Sequence, residues 1–314
     1  MALPMSKAKD IALRPADAFV DREHRTLLSD AWRQFRRHHL AMFGLVVICI
    51  LVVASLLGPF VYPRPINDID LASKLQSPSI SHPFGTDALG QDILARVLFG
   101  GRVSLAVGLT AMLISITIGT TLGSLAGFFG GFADTAIMRF TELLLSLPQL
   151  PLLLLVIYLF RDRLRHAVGV ELGTFVLIVA IIGGLAWMRV ARLVRASFLS
   201  IKQKEYVEAA RSLGAGSGRI MLVHMLPNAL SPVIVAASLG VAGAILAEST
   251  LSFLGFGFPP DLPTWGRILY DAKDRLDSAP YWAIFPGLCI FFTVLSINFI
   301  CDGLRDALDP RRNS

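Results

Sequence analysis

Six long stretches without a charged side chain divide this sequence, and they constrain its fold more than any other feature. A helix needs about 20 apolar residues, within a range of about 17–25, to cross the hydrocarbon core of a bilayer. Each stretch is long enough for one such helix, so the sequence predicts an all-α membrane protein with six transmembrane helices. The stretches cover residues 40–62, 103–133, 143–160, 172–188, 220–247 and 278–301.

The composition agrees with a membrane protein. The 314 residues are 54% hydrophobic and 17% charged, whereas soluble domains are about 45–50% apolar and about 25% charged. The three cysteines, Cys49, Cys289 and Cys301, are odd in number and lie in or beside apolar stretches. A disulfide framework is therefore not expected, and their spacing matches no metal site.

The distribution of Lys and Arg predicts the orientation of the chain. If the N-terminus is cytoplasmic, 19 of the 29 basic residues lie in segments on the inside and 10 on the outside. Cytoplasmic loops carry the excess of basic residues, so both termini are expected in the cytoplasm. The net charge of +6 is explained by these loops, and we expect no nucleic-acid partner.

These assignments divide the chain into five parts. Trp32 and Phe35, beside a cluster of arginines, indicate an interfacial helix before the first span, and Ile93–Phe99 indicates another in the first long loop. The parts are a cytoplasmic N-terminal segment at 1–40, the first transmembrane helix at 41–62, an extracytoplasmic loop at 63–101, a transmembrane core at 102–302 and a cytoplasmic tail at 303–314.

The segment after the fourth span contains a short predicted helix, at about 202–213. Glu205 and Glu208 suit its first turn, and Gly214 stands where a helix C-cap belongs. Ala209 and Ala210 make one face of this helix small, which allows another protein to approach closely. An ordinary connecting helix lying on lipid headgroups is the alternative interpretation.

Glu248 lies between two apolar stretches, in or near the fifth span. An ionisable group at that depth costs roughly 2.5 kcal/mol or more unless it faces a cavity or a partner. Two roles remain open for Glu248, as part of a translocation pathway or as a structural hydrogen-bonding group between helices.

The sequence contains no recognisable catalytic motif. None of its six lysines follows a glycine, so the phosphate-binding G-x-x-x-x-G-K-[ST] loop is absent, and its six histidines form no H-E-x-x-H pair. We therefore expect a non-enzymatic protein that binds neither metal nor cofactor.

Four motifs, in order, resemble a known family. Residues 205–214 and Leu226-Pro227 look like the EAA loop of binding-protein-dependent ABC importers, with His224 at a position where that family usually has Ile. Together with three further motifs, they resemble the second permease subunit of dipeptide and oligopeptide importers. Gln91 and Cys301 depart from the family pattern, where Arg and Gly are expected. The further motifs are 84–92, 251–260 with 264–266, and 302–311.

The resemblance implies a type I ABC importer permease in the bacterial inner membrane. Its partners would be a homologous second permease forming a heterodimer, two cytoplasmic ATP-binding subunits that carry ATP and Mg, and an extracytoplasmic solute-binding protein. A homodimer of this chain remains an alternative. By motif position, the ATPase contact would be made by Glu205, Glu208, Ala209, Ala210 and Gly214.

The resemblance also implies a cavity lined by the second, third, fifth and sixth spans. Peptides are the expected substrate, but related permeases that import nickel chelates, glutathione, or opine- and sugar-like solutes share the motifs. A standalone channel or secondary carrier is disfavoured by the lack of intramembrane charge pairs. A membrane scaffold without transport activity would leave the helix at 202–213 unexplained.

Overall fold

The computed structural model describes residues 27–308, and nearly all of the regular structure in that range is helical. Three short non-α turns accompany the α-helices, at Leu71–Ser73, Ile220–Met225 and Lys273–Arg275. The α-helices are α1 (Leu27–Arg37), α2 (His39–Val61), α3 (Ile93–Phe129), α4 (Gly131–Ser146), α5 (Gln149–Val168), α6 (Val170–Ile201), α7 (Glu205–Ser212), α8 (Ser217–Arg219), α9 (Leu226–Phe253), α10 (Trp265–Ala272) and α11 (Tyr281–Leu308).

The predicted membrane fold is confirmed for this part of the chain. Five helical segments are long and apolar enough to span a bilayer: α2, α3, α6, the continuous stretch Ser217–Phe253 and α11. A sixth span results when α4 and α5 are counted together. Each of these segments overlaps one of the six charge-free stretches.

The third span is broken, which the sequence analysis did not predict. Helices α4 and α5 meet at an angle of 91°, and Leu147 and Pro148 lie between them. A residue before proline is pushed out of the α-helical region by the proline ring, and Leu147 is accordingly extended, with φ −80° and ψ 138°. The stretch 143–160 therefore covers the end of α4 and more than half of α5.

Two predicted boundaries differ from the structure. Residues 93–99 form the first two turns of α3 and are not a separate interfacial helix, because Asp92 caps the long helix at that point. The first long loop thus ends at residue 92, not 101. Residues 303–308, assigned to the C-terminal tail, continue α11.

The predicted N-terminal interfacial helix corresponds to α1. Phe35 in α1 packs against Ala41 and Ala307, which ties α1 to the first and last spans, while Trp32 is 52% exposed. Residues 1–26 and 309–314 of the predicted terminal segments lie outside the described range.

Helix α3 is central to the bundle and packs most closely against α6. A Cβ atom added at Gly119, Gly123 or Gly127 would lie 2.5–2.6 Å from atoms of α6. Small residues four apart allow two membrane helices to approach at backbone distance. This packing fixes α6 against α3 and leaves the α4–α5 pair to close the other side of α6.

The bundle has two ends of different construction. We call the end that carries α7 the α7 end. We call the opposite end, formed by residues 62–92 and 254–280 with the start of α3, the loop end.

Candidate functional site

Helix α7 brings together five of the residues predicted from sequence. Glu205, Glu208, Ala209 and Ala210 lie on it, and Gly214 follows it. The helix begins at Glu205 rather than near 202, because Lys202 still belongs to the end of α6. The Lys202 ammonium donates a hydrogen bond of 2.6 Å to the carbonyl of Phe128 and so joins the ends of α6 and α3.

Gly214 ends α7 in the way that the sequence predicted. Its φ is +81°, a left-handed conformation that favours glycine. The Gly214 N–H donates to the Arg211 carbonyl at 3.0 Å, and the Ala215 N–H donates to the Ala210 carbonyl at 3.1 Å. These two bonds form a Schellman motif, which satisfies carbonyls at the helix end.

Helix α7 rests on the bundle by one side chain and exposes most of the others. Val207 is fully buried in a cluster with Ile220 and Met225. Leu213 is 88% exposed and Tyr206 is 44% exposed. Large exposed apolar side chains grouped on one short helix are typical of a protein contact surface.

The connection from α7 into the fifth span includes a π-helical turn, Ile220–Met225. Pro227 follows directly, in the first turn of α9. A proline ring inside an α-helix clashes with the carbonyl four residues earlier, which here belongs to Val223, and the wider π turn relieves that clash. His224 lies in this turn, and its carbonyl accepts a hydrogen bond of 2.7 Å from Asn228.

Glu248 lies far from α7, near the loop end of α9, and is completely buried. Its carboxylate accepts hydrogen bonds from Ser252 at 2.7 Å and from Ser104 of α3 at 3.1 Å. The Ser104 hydroxyl in turn accepts from the Trp265 backbone N–H at 3.3 Å. Glu248 thus connects α9, α3 and α10, and this geometry favours the structural role over the pathway role.

A cavity of about 770 Å³ lies beside α6. Its walls come from α3, the α4–α5 pair, α6 and α9. The sequence analysis expected the second, third, fifth and sixth spans, so the fourth span, α6, takes the place expected for α11. Cavities that hold small molecules in proteins typically measure about 300–1,000 Å³.

Sequence reasoning missed the polar residues of this cavity, which are Ser115, Gln149, Arg189 and Thr250. A signal was available for two of them. Arg189 directly follows the charge-free stretch 172–188, and Gln149 interrupts the apolar run of the third span. Within residues 27–308, no group of three or more His, Cys, Asp or Glu side chains could hold a metal ion.

At the loop end, Asp92 connects three segments. Its carboxylate accepts a hydrogen bond from the Ala95 N–H at 2.9 Å, which caps α3, and another from the Tyr62 hydroxyl at 2.7 Å. His82 Nδ1 lies 2.9 Å from the same carboxylate. The motif at 84–92 therefore closes the loop onto the start of α3.

Arg96 is the buried centre of the loop end, with 3% of its surface exposed. Its guanidinium donates to the carbonyls of Ile66 and Pro260, both at 3.1 Å, and to the side chain of Gln91. Its distance to the Asp271 carboxylate is 3.7 Å. Gln91, one of the two departures from the family pattern, is thus a direct partner of Arg96.

Asp87 lies near this centre and binds the backbone of its own loop. Its carboxylate accepts from the N–H groups of Leu89 and Gln91 at 2.8 and 2.9 Å. Burial raises the pKa of Asp87 above its ordinary value, while the charge of Arg96 acts in the opposite direction.

The sequence matches two protein families. Residues 119–314 match the family described as the inner membrane component of binding-protein-dependent transport systems. Residues 26–78 match the N-terminal transmembrane domain of oligopeptide transport permease C.

Three curated relatives align over nearly the whole chain. An oligopeptide transport system permease protein of Escherichia coli is 40% identical over 98% of this chain and 99% of its own length. A dipeptide transport system permease protein of Alkalihalophilus pseudofirmus is 36% identical over 91% of this chain and 90% of its own. A glutathione transport system permease protein of Shigella flexneri is 40% identical over 91% of both chains.

Proposed function

The chain belongs to the family of inner membrane components of binding-protein-dependent transport systems, and on that premise we propose that it is a permease subunit of an ATP-driven peptide importer. The proposal that the substrates are peptides rests on similarity to permeases named for oligopeptide and dipeptide transport. These relatives are 36–40% identical over nine-tenths of the chain or more. The protein is a multi-pass protein of the bacterial inner membrane.

The proposed partners are a homologous second permease, two cytoplasmic ATP-binding subunits and an extracytoplasmic solute-binding protein. The ATP-binding subunits would bind ATP and Mg, and this chain would hydrolyse no ATP. Helix α7 supports the ATPase contact, because Tyr206 and Ala209 of the helix and Leu213 at its C-terminal end are exposed on the outside of the bundle. Both termini and the α7 end would then lie in the cytoplasm.

The proposed mechanism is alternating access. Closure of the ATP-binding subunits would move α7, and α7 would carry that motion into the bundle through the buried Val207 and the turn at Ile220–Met225. The paired permeases would open outward, receive a peptide from the binding protein and release it inside after hydrolysis.

The complete transporter, reconstituted in proteoliposomes, tests the proposal. The chain is co-purified with its partners from native membranes in mild detergent, the partners are identified by mass spectrometry, and uptake of a labelled tripeptide is measured with and without ATP. ATP-dependent uptake that needs the binding protein is expected. Recovery of the chain alone, without ATPase activity, would contradict the proposal.

Glutathione import is the second candidate, because a glutathione permease is 40% identical. Uptake of labelled glutathione, measured in the same proteoliposomes, distinguishes the two substrates. Peptide import predicts uptake of the labelled tripeptide that a series of unlabelled di- and tripeptides competes for. If labelled glutathione is taken up and the labelled tripeptide is not, the glutathione alternative is correct.

A bulky residue on α7 tests the coupling role. Ala209 is exposed and Ala210 is half-buried, so Ala209→Trp fills the contact surface with the least disturbance of α7 itself, and Ala210→Trp is its companion. Overpacking an interface costs about 1–3 kcal/mol, so docking should weaken about 5- to 150-fold. Transport and peptide-stimulated ATPase activity should fall while membrane insertion stays normal.

The matched control is Ser217→Trp, which places the same side chain at an exposed position on α8. It should leave transport near the wild-type level. Undiminished transport in the Ala209 and Ala210 variants would contradict the assignment of α7 as the ATPase contact.

A further inference from the structure

Among the described residues that line the 770 Å³ cavity, Arg189 is the only charged one. The rest of the lining is apolar or small, apart from Ser115, Gln149 and Thr250. Charged side chains within membrane spans are costly and are found mostly where they face a cavity or a partner.

The guanidinium of Arg189 has no acidic partner among residues 27–308. Within that range, the Arg189 guanidinium donates a hydrogen bond to a neutral group, the side-chain oxygen of Gln149, at 3.4 Å. Arg195, six residues further along α6, is different, because it forms a two-pronged ion pair with Asp134, with one contact at 2.6 Å. The fold thus supplies a carboxylate to Arg195 and none to Arg189.

Helix α9 forms the wall that leaves room in this cavity. Its lining residues include Ala236, Gly240, Gly243 and Ala247. A Cβ atom added at Gly243 would meet no atom within 4 Å. Gly243 therefore faces open space inside the cavity that Arg189 lines, whereas Gly240 packs tightly against Met112, which an added Cβ atom would overlap.

We infer that Arg189 binds the C-terminal carboxylate of a peptide in transit. This inference rests on the proposed function and adds a substrate contact to it. An arginine fork matches the two oxygens of a carboxylate. Every unmodified peptide carries that carboxylate whatever its side chains are, so one arginine in a cavity with no other charged lining residue among those described can recognise peptides of any sequence.

The test compares trialanine with its C-terminal amide in proteoliposomes that contain the complete importer. Each peptide is supplied at a concentration that saturates the binding protein, which is verified by titration, so differences in uptake report later steps. A hydrogen bond to a charged group is worth about 10- to 100-fold in binding. The wild-type importer should therefore transport the acid at least about 10-fold faster than the amide.

The variant R189Q should lower uptake of the acid to the rate of the amide, and R189K, which keeps the charge without the fork, should restore part of the preference. The matched control is R139Q, which removes the same charge from α4. Arg139 is 80% exposed and lies outside the cavity lining, so R139Q should keep the wild-type ratio.

Several outcomes would overturn the inference. A wild-type importer without preference for the acid would do so even if R189Q fails to assemble. An R189Q importer that slows both peptides equally, or loses its defect in vesicles of purely neutral lipid, would assign Arg189 to structure or to anionic lipid headgroups. Absence of any ATP-dependent uptake by the wild type would instead contradict the proposed function, and the inference with it.

Discussion

The two ends of the bundle are built in opposite ways. At the loop end, residues 62–92 and 254–280 are held to α3 by buried polar contacts, with Arg96 and Trp265 at 3% and 1% exposure. At the α7 end, the short helix Glu205–Ser212 is anchored by the single buried side chain of Val207. One end is fixed by internal contacts, and the other leaves most of its short helix exposed.

The family motifs at the two ends have different surroundings. At the loop end, Asp92, Thr264 and Trp265 cap helices or join them: the Trp265 indole donates to the Val97 carbonyl at 3.0 Å, and the Thr264 hydroxyl accepts from the Arg267 N–H at 3.1 Å. At the α7 end, the motif residues mostly face outward. The motif residues of the loop end are therefore buried joints between segments, whereas those of the α7 end are mostly exposed.

The largest stability effect is expected at Arg96. Replacing it with Met leaves Gln91 and two backbone carbonyls without their buried donor. It also removes one of two positive charges beside Asp271, which keeps its contact with Arg267 at 2.8 Å. Removing one partner from a buried ionic network costs about 3–5 kcal/mol, so the free energy of unfolding in mixed micelles should fall by about that amount.

The control for Arg96→Met is Arg139→Met on α4. Arg139 pairs with Glu142 at 3.4 Å but is 80% exposed, and such surface pairs contribute about 0–1 kcal/mol. Equal losses in the two variants would refute the contrast between the ends.

The next effect concerns Glu248. In Glu248→Leu the hydroxyls of Ser104 and Ser252 lose a buried acceptor, which costs about 1–3 kcal/mol. Glu248→Gln keeps an acceptor oxygen of similar shape and should lose less. Unfolding of the detergent-solubilised complex measures the cost, and reconstituted transport is measured separately. If Glu248→Gln assembles normally but loses transport, Glu248 acts in the translocation pathway and not as a structural group.

A smaller effect is expected at the α7 end from Gly214→Ala. The site has room for a Cβ atom, with no atom within 4 Å, so the cost is the left-handed backbone alone, about 1–2 kcal/mol. This should fray the end of α7, seen as faster hydrogen exchange of the Gly214 and Ala215 positions, with little change in global unfolding.

The control is Gly216→Ala, two residues away. Its surroundings are equally open, but its φ is −66°, so it should be close to neutral. If both variants fray α7 alike, the Schellman cap is not what ends the helix.

The smallest effect is a pH dependence at the surface of the loop end. The Asp70 carboxylate accepts hydrogen bonds from Ser73 at 2.6 Å and from the Ala72 N–H at 3.0 Å. The Ser73 hydrogen bond above all lowers the pKa of Asp70 below its ordinary value of 3.8. The folded turn therefore favours the charged carboxylate. The contribution of Asp70 to the stability of the turn is present above pH 3.8 and is lost as the pH falls through the pKa that Asp70 has in the folded protein.

Hydrogen exchange of residues 71–73, followed from pH 6 to pH 3, measures this effect. Exchange corrected for its intrinsic pH dependence should rise only at the acidic end of the range. Asp70→Asn keeps an acceptor but does not titrate, so its corrected exchange should be flat. A rise already near neutral pH would contradict the assignment.

The sequence by itself determined the number of spans, the helical class, the family motifs and the cap of α7. These properties depend on local composition: an apolar stretch of sufficient length forms a helix in a bilayer, and a glycine after a short helix ends it. The extent of the first loop was less well predicted, because Asp92 and the start of α3 look like a short interfacial helix when their tertiary partners are unknown.

Only the tertiary structure decided the angle between α4 and α5, the walls of the cavity and the surroundings of Glu248 and Arg189. Glu248 and Ser104 are 144 residues apart in sequence, and Arg189 and Gln149 are 40 apart. Hydropathy and spacing describe how one segment meets lipid or water. Which side chains meet across helices depends on how the segments rotate and pack, for which the close approach of α3 and α6 at Gly119, Gly123 and Gly127 sets the geometry.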